Sequence, residues 1–174
     1  MKGVIAKCLG DLVTSKFGQD KWEKALEMTG LPKETTFLSS QDIDDGSVLK
    51  VIDSVCKVLG ITLNQAADAF GDYWVNDFAV KVYPAYFLGV TSAKELLLKM
   101  DSVHEATTRR VPNAKPPRFE YKWENDKTLI MKYKSDRNLI DFFVSLIKGV
   151  GKHFNENLVV TKLNNEEVKV VFSK

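Results

Sequence analysis

His104 is the residue whose type and position most clearly predict chemistry. It is one of two histidines in the chain, and it shares a helical stripe with Leu97 and Met100, with Leu96 and Val103 beside them. An imidazole on an apolar stripe needs a partner, because buried polar groups are rarely left without one. Two interpretations stay open at this point: a core histidine bonded to a backbone carbonyl, and a metal ligand.

A second set of polar side chains alternates along one segment. Tyr133, Ser135 and Arg137 occupy every second position, so an extended backbone would project them from the face that also carries Leu129 and Met131. The arginine offers a planar fork of donors to a carboxylate, and the two hydroxyls add neutral donors. This polar clamp predicts a site for an anionic group at the rim of an apolar pocket. The alternative is a solvated strand end with unrelated polar residues.

The apolar-face histidine and the polar clamp together favour a haem site. The imidazole would bind iron, the aromatic side chains would surround the macrocycle, and the clamp would hold the propionates. His153 lies in a polar run, Lys152 to Asn155, and is assigned to the surface.

Composition excludes several other classes of function. The net charge is +2, from 25 basic and 23 acidic residues, and the longest basic cluster is Arg109-Arg110. Nucleic acid or an anionic membrane is therefore not expected as the main partner. Cys8 and Cys56 are too few for a metal cage and are predicted to be buried reduced thiols. No apolar stretch approaches the ~20 residues that span a bilayer, and the N-terminus lacks a signal peptide, so we expect a cytoplasmic protein.

The elements that must position these residues are helical in the first half of the chain. Apolar residues at helical spacing predict helices over 4–13, 22–28, 48–59 and 64–78. A further helix from Ala93 to about Arg109 carries His104 and can be capped by Thr91 or Ser92.

Prolines then end the helical half, because Pro112, Pro116 and Pro117 cannot lie inside a helix. Alternation of apolar and polar residues predicts a hairpin over 119–135. Helical spacing of apolar residues returns over 139–150, and a second hairpin is predicted over 158–172. The fold class is therefore α+β: a helical N-terminal lobe packed on a C-terminal lobe with a four-stranded antiparallel sheet and helices.

The sequence resembles the haem nitric oxide/oxygen binding family, H-NOX, and in particular the bacterial stand-alone type related to the sensor domain of soluble guanylate cyclase. The resemblance covers essentially the whole chain. It depends on His104 and the polar clamp at the family's separation, supported by these motifs: Met1-Lys2-Gly3, Asp42-Ile43-Asp44-Asp45, Gly71, Asp101-x-Val103-His104, Pro116-Pro117-Arg118 and Tyr133-x-Ser135-x-Arg137.

The resemblance implies one H-NOX domain over 1–174, with a helical subdomain over about 1–65, a haem-holding α/β subdomain over 66–174, and haem b buried between them. His104 would be the sole protein ligand to ferrous iron, Pro117 would press on the porphyrin, and the polar clamp would bind the propionates. The distal lining would be Ile5, Leu9, Trp74, Val75, Phe78, Phe142 and Leu146. Each of these side chains could instead be ordinary core packing.

The distal side also indicates which gas is bound. Family members that hold oxygen use a distal tyrosine oriented by polar neighbours, and here Phe142 stands in that position, with Leu9 and Trp74 in the supporting ones. Losing a buried hydrogen bond costs ~1–3 kcal/mol. We therefore predict a nitric oxide sensor that also binds carbon monoxide and stays five-coordinate in air. The alternative is an oxygen-binding member, in which the indole N–H of Trp74 could donate to the ligand.

The family mechanism implies that nitric oxide breaks the bond between iron and His104 and that the change passes to a separate protein. A histidine kinase or a cyclic-di-GMP enzyme is the expected partner. The family's zinc site is not expected, because no cysteine follows Cys56. The chain is not expected to be an enzyme. Two rivals are weighed: a haem peroxidase, for which a distal acid–base pair is missing, and a haem-free interaction domain.

Overall fold

The computed structural model describes residues 3–109, 111 and 114–173. Motif residues Met1 and Lys2, together with Arg110 and Pro112, lie outside the described residues. The chain divides into two compact units, Met1–Ala66 with Val111–Ala114, and Ala67–Arg110 with Lys115–Lys174.

The first unit is built from three helices: α1 (Gly3–Phe17), α2 (Gln19–Glu27) and α3 (Asp45–Leu59). Helix α3 has a capped first turn, because the Asp44 carboxylate accepts the Ser47 N–H at 2.9 Å as an N-cap. Gly60 closes the helix in the left-handed conformation at φ 66°.

The second unit holds the remaining helices and the whole sheet. Its helical elements are α4 (Leu63–Tyr73, which begins in the first unit), a π-helical segment (Trp74–Ala79), α5 (Val80–Val82), a short 3₁₀ turn (Pro84–Tyr86), α6 (Ala93–Thr108) and α7 (Ile140–His153). Gly71 belongs to this unit. The π segment was not predicted from sequence, since its apolar spacing is that of an ordinary helix.

The predicted four-stranded antiparallel sheet is confirmed, in the order β1-β2-β4-β3. Its strands are β1 (Arg118–Asn125), β2 (Thr128–Lys134), β3 (Val159–Lys162) and β4 (Glu167–Val171). One face of the sheet packs against α6 and α7 around fully buried Leu129, Met131, Val168 and Val170. No helix in the described part of the chain combines the length and apolar character needed to span a membrane.

Candidate functional site

Helix α6 is fixed firmly at its beginning. Ser92 caps it by accepting the Glu95 N–H at 3.2 Å, and the Glu95 carboxylate accepts the Thr91 N–H at 2.8 Å. This reciprocal arrangement satisfies donors that the first turn leaves open. A carboxylate from outside the helix adds to it, because Glu156 accepts the Ala93 N–H at 3.0 Å.

The imidazole of His104 is held as one tautomer. Its Nδ1 lies 2.8 Å from the carbonyl oxygen of Met100. Since a carbonyl oxygen can only accept, Nδ1 must carry the proton. Burial lowers the pKa of His104, although the carbonyl of Met100 and the Asp101 carboxylate oppose that shift. The ring is therefore neutral at physiological pH, and Nε2 keeps its lone pair.

Asp101, one turn before His104, ties α6 to β1. Its carboxylate accepts two bonds from Arg118, at 2.8 and 2.5 Å, and the Phe119 N–H at 2.9 Å. The hydrogen bond from the Arg118 guanidinium is the main reason that the pKa of Asp101 falls to about 2. Neither Arg118 nor Phe119 was assigned this contact from sequence, because a pairing between a helix and a distant strand leaves no local pattern.

The depressed pKa of Asp101 predicts a pH-dependent contribution to the free energy of unfolding. A depressed folded-state pKa means that the stabilisation is present above the unfolded pKa near 4 and is lost as pH falls toward about 2. Asp101→Asn should lower the free energy of unfolding at about pH 7 by about 1–3 kcal/mol. Urea unfolding of the unaltered protein and of Asp101→Asn, at about pH 7, 4 and 3, measures the difference between their free energies of unfolding. A gap between the two proteins that does not shrink at the lowest pH would contradict the argument.

The polar clamp comes together through a turn rather than through strand alternation. Strand β2 ends at Lys134, so the expectation that one extended segment carries all three side chains is wrong. Burial raises the pKa of the Tyr133 phenol, and the Ser135 side chain, the Arg137 charge and the Leu139 backbone oppose that shift. The Arg137 N–H donates to the Ser135 hydroxyl at 3.3 Å. The next residue, Asn138, adopts the left-handed conformation at φ 52°, which lets the chain return toward α7.

Arg137 is anchored from the prolyl segment before β1. Its Nη1 donates to the carbonyl of Lys115 at 2.6 Å. Pro117, two residues further on, is half-buried. The guanidinium and this proline therefore belong to one local arrangement at the beginning of the sheet.

A chain of aromatic rings links His104 to the polar clamp. The imidazole lies edge-on to Phe119 with ring centroids 5.2 Å apart, and Phe119 lies 6.0 Å from Tyr133. Phe143 of α7 contacts both, at 5.0 Å from Phe119 and 5.3 Å from Tyr133. The two features predicted separately from sequence are thus joined by Phe119 and Phe143, which sequence reasoning missed. The signal available was the alternation of aromatic residues along β1.

A second group of rings contains three of the predicted distal residues. Trp74 stacks on Phe70 at 5.7 Å and on Phe78 at 5.4 Å, forming an aromatic ladder along α4 and the π segment. Phe142 of α7 meets Phe70 edge-on at 5.7 Å. Val75 lies in the buried core and Leu146 packs half-buried against it.

Helix α7 approaches α4 closely enough to exclude side chains. A Cβ added to Gly71 would overlap the carbonyl of Ser145, and one added to Gly149 would lie 2.5 Å from the Gly71 oxygen. Polar contacts flank this crossing, since the Ser145 hydroxyl donates to Asp68 at 2.7 Å and the Asn76 amide donates to the Gly149 carbonyl at 3.3 Å. The separation of α4 and α7 at this crossing is therefore set by backbone contact.

The remaining assigned residues lie elsewhere. Leu9 is buried and Ile5 half-buried on α1, in the first unit. His153 is half-buried rather than on the open surface, because Phe87 and Phe154 pack against its ring at 5.3 and 4.8 Å. Cys8 is buried as expected, but Cys56 is only half-buried, and burial raises the pKa of its thiol.

Comparison with known proteins gives consistent matches. A family model described as Haem-NO-binding matches residues 2–162. The soluble guanylate cyclase gcy-35 of Caenorhabditis elegans is 25% identical over 171 residues, which cover 96% of this chain and 25% of that protein. Gcy-32 of the same organism is also 25% identical, over 87% of this chain and 23% of its own length. The chain thus spans about a quarter of these relatives.

Solved structures match over the full chain. An oxygen-binding H-NOX domain related to soluble guanylate cyclases, in its oxygen complex, has a TM-score of 0.88 at 26% identity and covers 100% of this chain and 96% of that one. A mutant H-NOX domain of T. tengcongensis has a TM-score of 0.86 at 26% identity, with 100% and 98% covered.

Proposed function

The chain belongs to the haem-NO-binding family, H-NOX, and from this premise we propose that it is a nitric oxide sensor that holds haem b through His104. Membership makes it a haem-binding gas sensor domain related to soluble guanylate cyclase and not a catalytic domain. The choice of gas, the ligand to iron and the signalling partner are proposals that go beyond family membership.

The observation that carries the proposal is the tautomer of His104. With Nδ1–H donating to Met100 and a pKa lowered by burial, the imidazole presents a neutral Nε2 lone pair, the form in which histidine binds a metal. The backbone carbonyl also orients the ring as an outer partner of a metal ligand does. The same hydrogen bond fits a core histidine, so the polar clamp and the family match are what favour the ligand assignment.

The polar clamp suits the other part of the cofactor that the protein must bind, its carboxylates. Arg137 and the hydroxyls of Tyr133 and Ser135 supply donors at the edge of a region lined by Phe119 and Phe143. Bound haem would supply an iron that takes a diatomic gas, and His104 would hold that iron. The polar clamp would bind the propionates, and Pro117 is proposed to contact the porphyrin.

Preference for nitric oxide follows from the side chains around Phe142. A bound oxygen molecule gains from a hydrogen-bond donor, whereas nitric oxide gains little. Phe142 has none; Trp74 stacks between two rings, and its indole N–H is the donor that the oxygen-binding alternative would use. Missing one buried hydrogen bond costs ~1–3 kcal/mol, or about one to two decades in affinity. The alternative is an oxygen-binding member, as the matched oxygen complex is for that protein.

Absorption spectra of the reduced, haem-loaded protein test this choice. We expect the spectrum under argon to stay unchanged in air and to change with nitric oxide. Phe142→Tyr should add a donor and raise oxygen affinity by about tenfold to hundredfold. Phe17→Tyr is the matched control, since it adds a hydroxyl to an exposed ring. Stable oxygen binding by the unaltered protein would refute the preference for nitric oxide.

Output is proposed to pass to another protein, a histidine kinase or a cyclic-di-GMP enzyme, and the site of action is proposed to be the cytoplasm. The proposed partner follows from the family resemblance. Ile5 and Leu9 stay predicted distal residues on the same ground.

A further inference from the structure

A tyrosine hydroxyl contacts the backbone of helix α6 one turn before His104. The Asp101 N–H donates to the hydroxyl of Tyr121 at 3.2 Å, and that hydroxyl donates to the Leu97 oxygen at 3.0 Å. These are the two peptide groups that face each other across one turn of an α-helix. The two hydrogen bonds therefore tie this turn of α6 to β1, the strand that carries Tyr121.

The Tyr121 side chain is itself fixed by its surroundings. Tyr121 lies in the middle of β1, paired with Met131 of β2, and its half-buried ring packs against the core. Burial raises the pKa of this phenol, so the oxygen keeps its proton and can donate to Leu97. The contact thus fixes the turn of α6 to the sheet.

The same strand touches this part of α6 at further points. The Phe119 N–H donates to the Asp101 carboxylate, and the Phe119 ring lies against the imidazole of His104. Strand β1 therefore contacts the peptide groups of this turn, the Asp101 carboxylate and the ring of His104. Only the Tyr121 contact acts on the helix backbone itself.

The bridge also lies at a boundary within α6. Before it, Ala93, Leu96 and Leu97 are buried, and Glu156 holds the first turn. After Asp101 every described residue of the helix is half-buried or exposed. The hydroxyl therefore stands between the part of α6 that is fixed in the core and the part that carries His104.

We infer that Tyr121 is a positioning residue for His104: its hydroxyl fixes the turn of α6 before His104 to β1 and so sets where the helix presents the imidazole. The inference rests on the proposed function, in which Nε2 of His104 binds the haem iron. Without the hydroxyl, the turn from Leu97 to Asp101 would lose its two hydrogen bonds to β1, and the imidazole would move relative to Phe119.

Tyr121→Phe tests the inference with the loss of a single oxygen atom. The readout is the iron–histidine stretching band in the resonance Raman spectrum of the reduced, gas-free, haem-loaded protein. We expect this band to shift in Tyr121→Phe and to stay in place in Tyr86→Phe, a matched loss of a half-buried phenol hydroxyl. Thermal unfolding of both variants checks that they fold equally well.

A His104→Gly background separates an effect of Tyr121 on the position of His104 from a general effect on the cofactor. In His104→Gly protein loaded with haem and free imidazole, the iron ligand is no longer attached to α6. Adding Tyr121→Phe to that background should leave the iron–imidazole band unchanged.

The outcomes distinguish the inference from the proposed function. An unshifted iron–histidine band in Tyr121→Phe would overturn the role of Tyr121, as would an equal shift in the imidazole-loaded background. By contrast, a His104→Gly protein that binds haem normally without imidazole would refute the ligand assignment, whatever Tyr121 does.

Discussion

His104→Gly protein is expected to hold haem in its normal state only when imidazole is supplied. The substitution removes the one side chain that presents a neutral nitrogen lone pair beside Phe119, oriented by the Met100 carbonyl. It also leaves a space of imidazole size beside that ring, which a free imidazole can fill. Absorption spectra of the reduced variant, recorded with and without imidazole after haem loading, measure the effect.

The chain offers its own control for this experiment. His153 is the other histidine and is also half-buried among aromatic rings, so His153→Gly removes a comparable imidazole from the end of α7. Its spectrum should match that of the unaltered protein without any imidazole. If the two variants behave alike, His104 is not the ligand.

Gly71→Ala is expected to be the most damaging single-methyl substitution in the chain's second unit. The added Cβ would overlap the backbone carbonyl of Ser145 and lie 2.8 Å from the Leu146 nitrogen, so neither contact can be relieved by rotating a side chain. Overpacking of this kind costs about 1–3 kcal/mol, occasionally more. For a chain of this size the midpoint of thermal unfolding should fall by about 2–12 °C.

Gly46→Ala is the matched control, since it adds the same methyl to a helical glycine of α3. There the new Cβ meets only the end of the Asp44 side chain, at 3.1 Å. Alanine also favours a helix over glycine by about 1 kcal/mol, so the midpoint should hold or rise. An unchanged midpoint in Gly71→Ala would show that α4 and α7 can separate at little cost.

Local patterns in the sequence predicted the elements well. Ser92 with Glu95 three residues later is a capping signal that acts within one turn, and it placed the start of α6 correctly. Asp44 and Gly60 at the two ends of α3 act over the same short range. These signals succeed because the interaction and the residues that encode it lie next to each other in the chain.

Contacts between distant segments could not be predicted in the same way. The pairing of Asp101 with Arg118 and the bridge formed by Tyr121 depend on the register of β1 against α6, which no local pattern encodes. The polar clamp was identified by residue type, but its geometry was not. Alternation suggested a strand, whereas a turn and the left-handed Asn138 bring Ser135 and Arg137 together.

The aromatic ladder owes its alignment to a change of helical phase. Phe70, Trp74 and Phe78 are each four residues apart, and a step of four overshoots one turn of an α-helix, which takes 3.6 residues. The π segment that begins at Trp74 has wider turns, closed by bonds between more distant residues, so the next step of four undershoots. The two angular errors have opposite signs and offset each other, which keeps all three rings on one side. The ladder is therefore encoded in residue count as much as in residue type: deleting one residue between Trp74 and Phe78 would rotate Phe78 out of line while leaving every ring in the sequence.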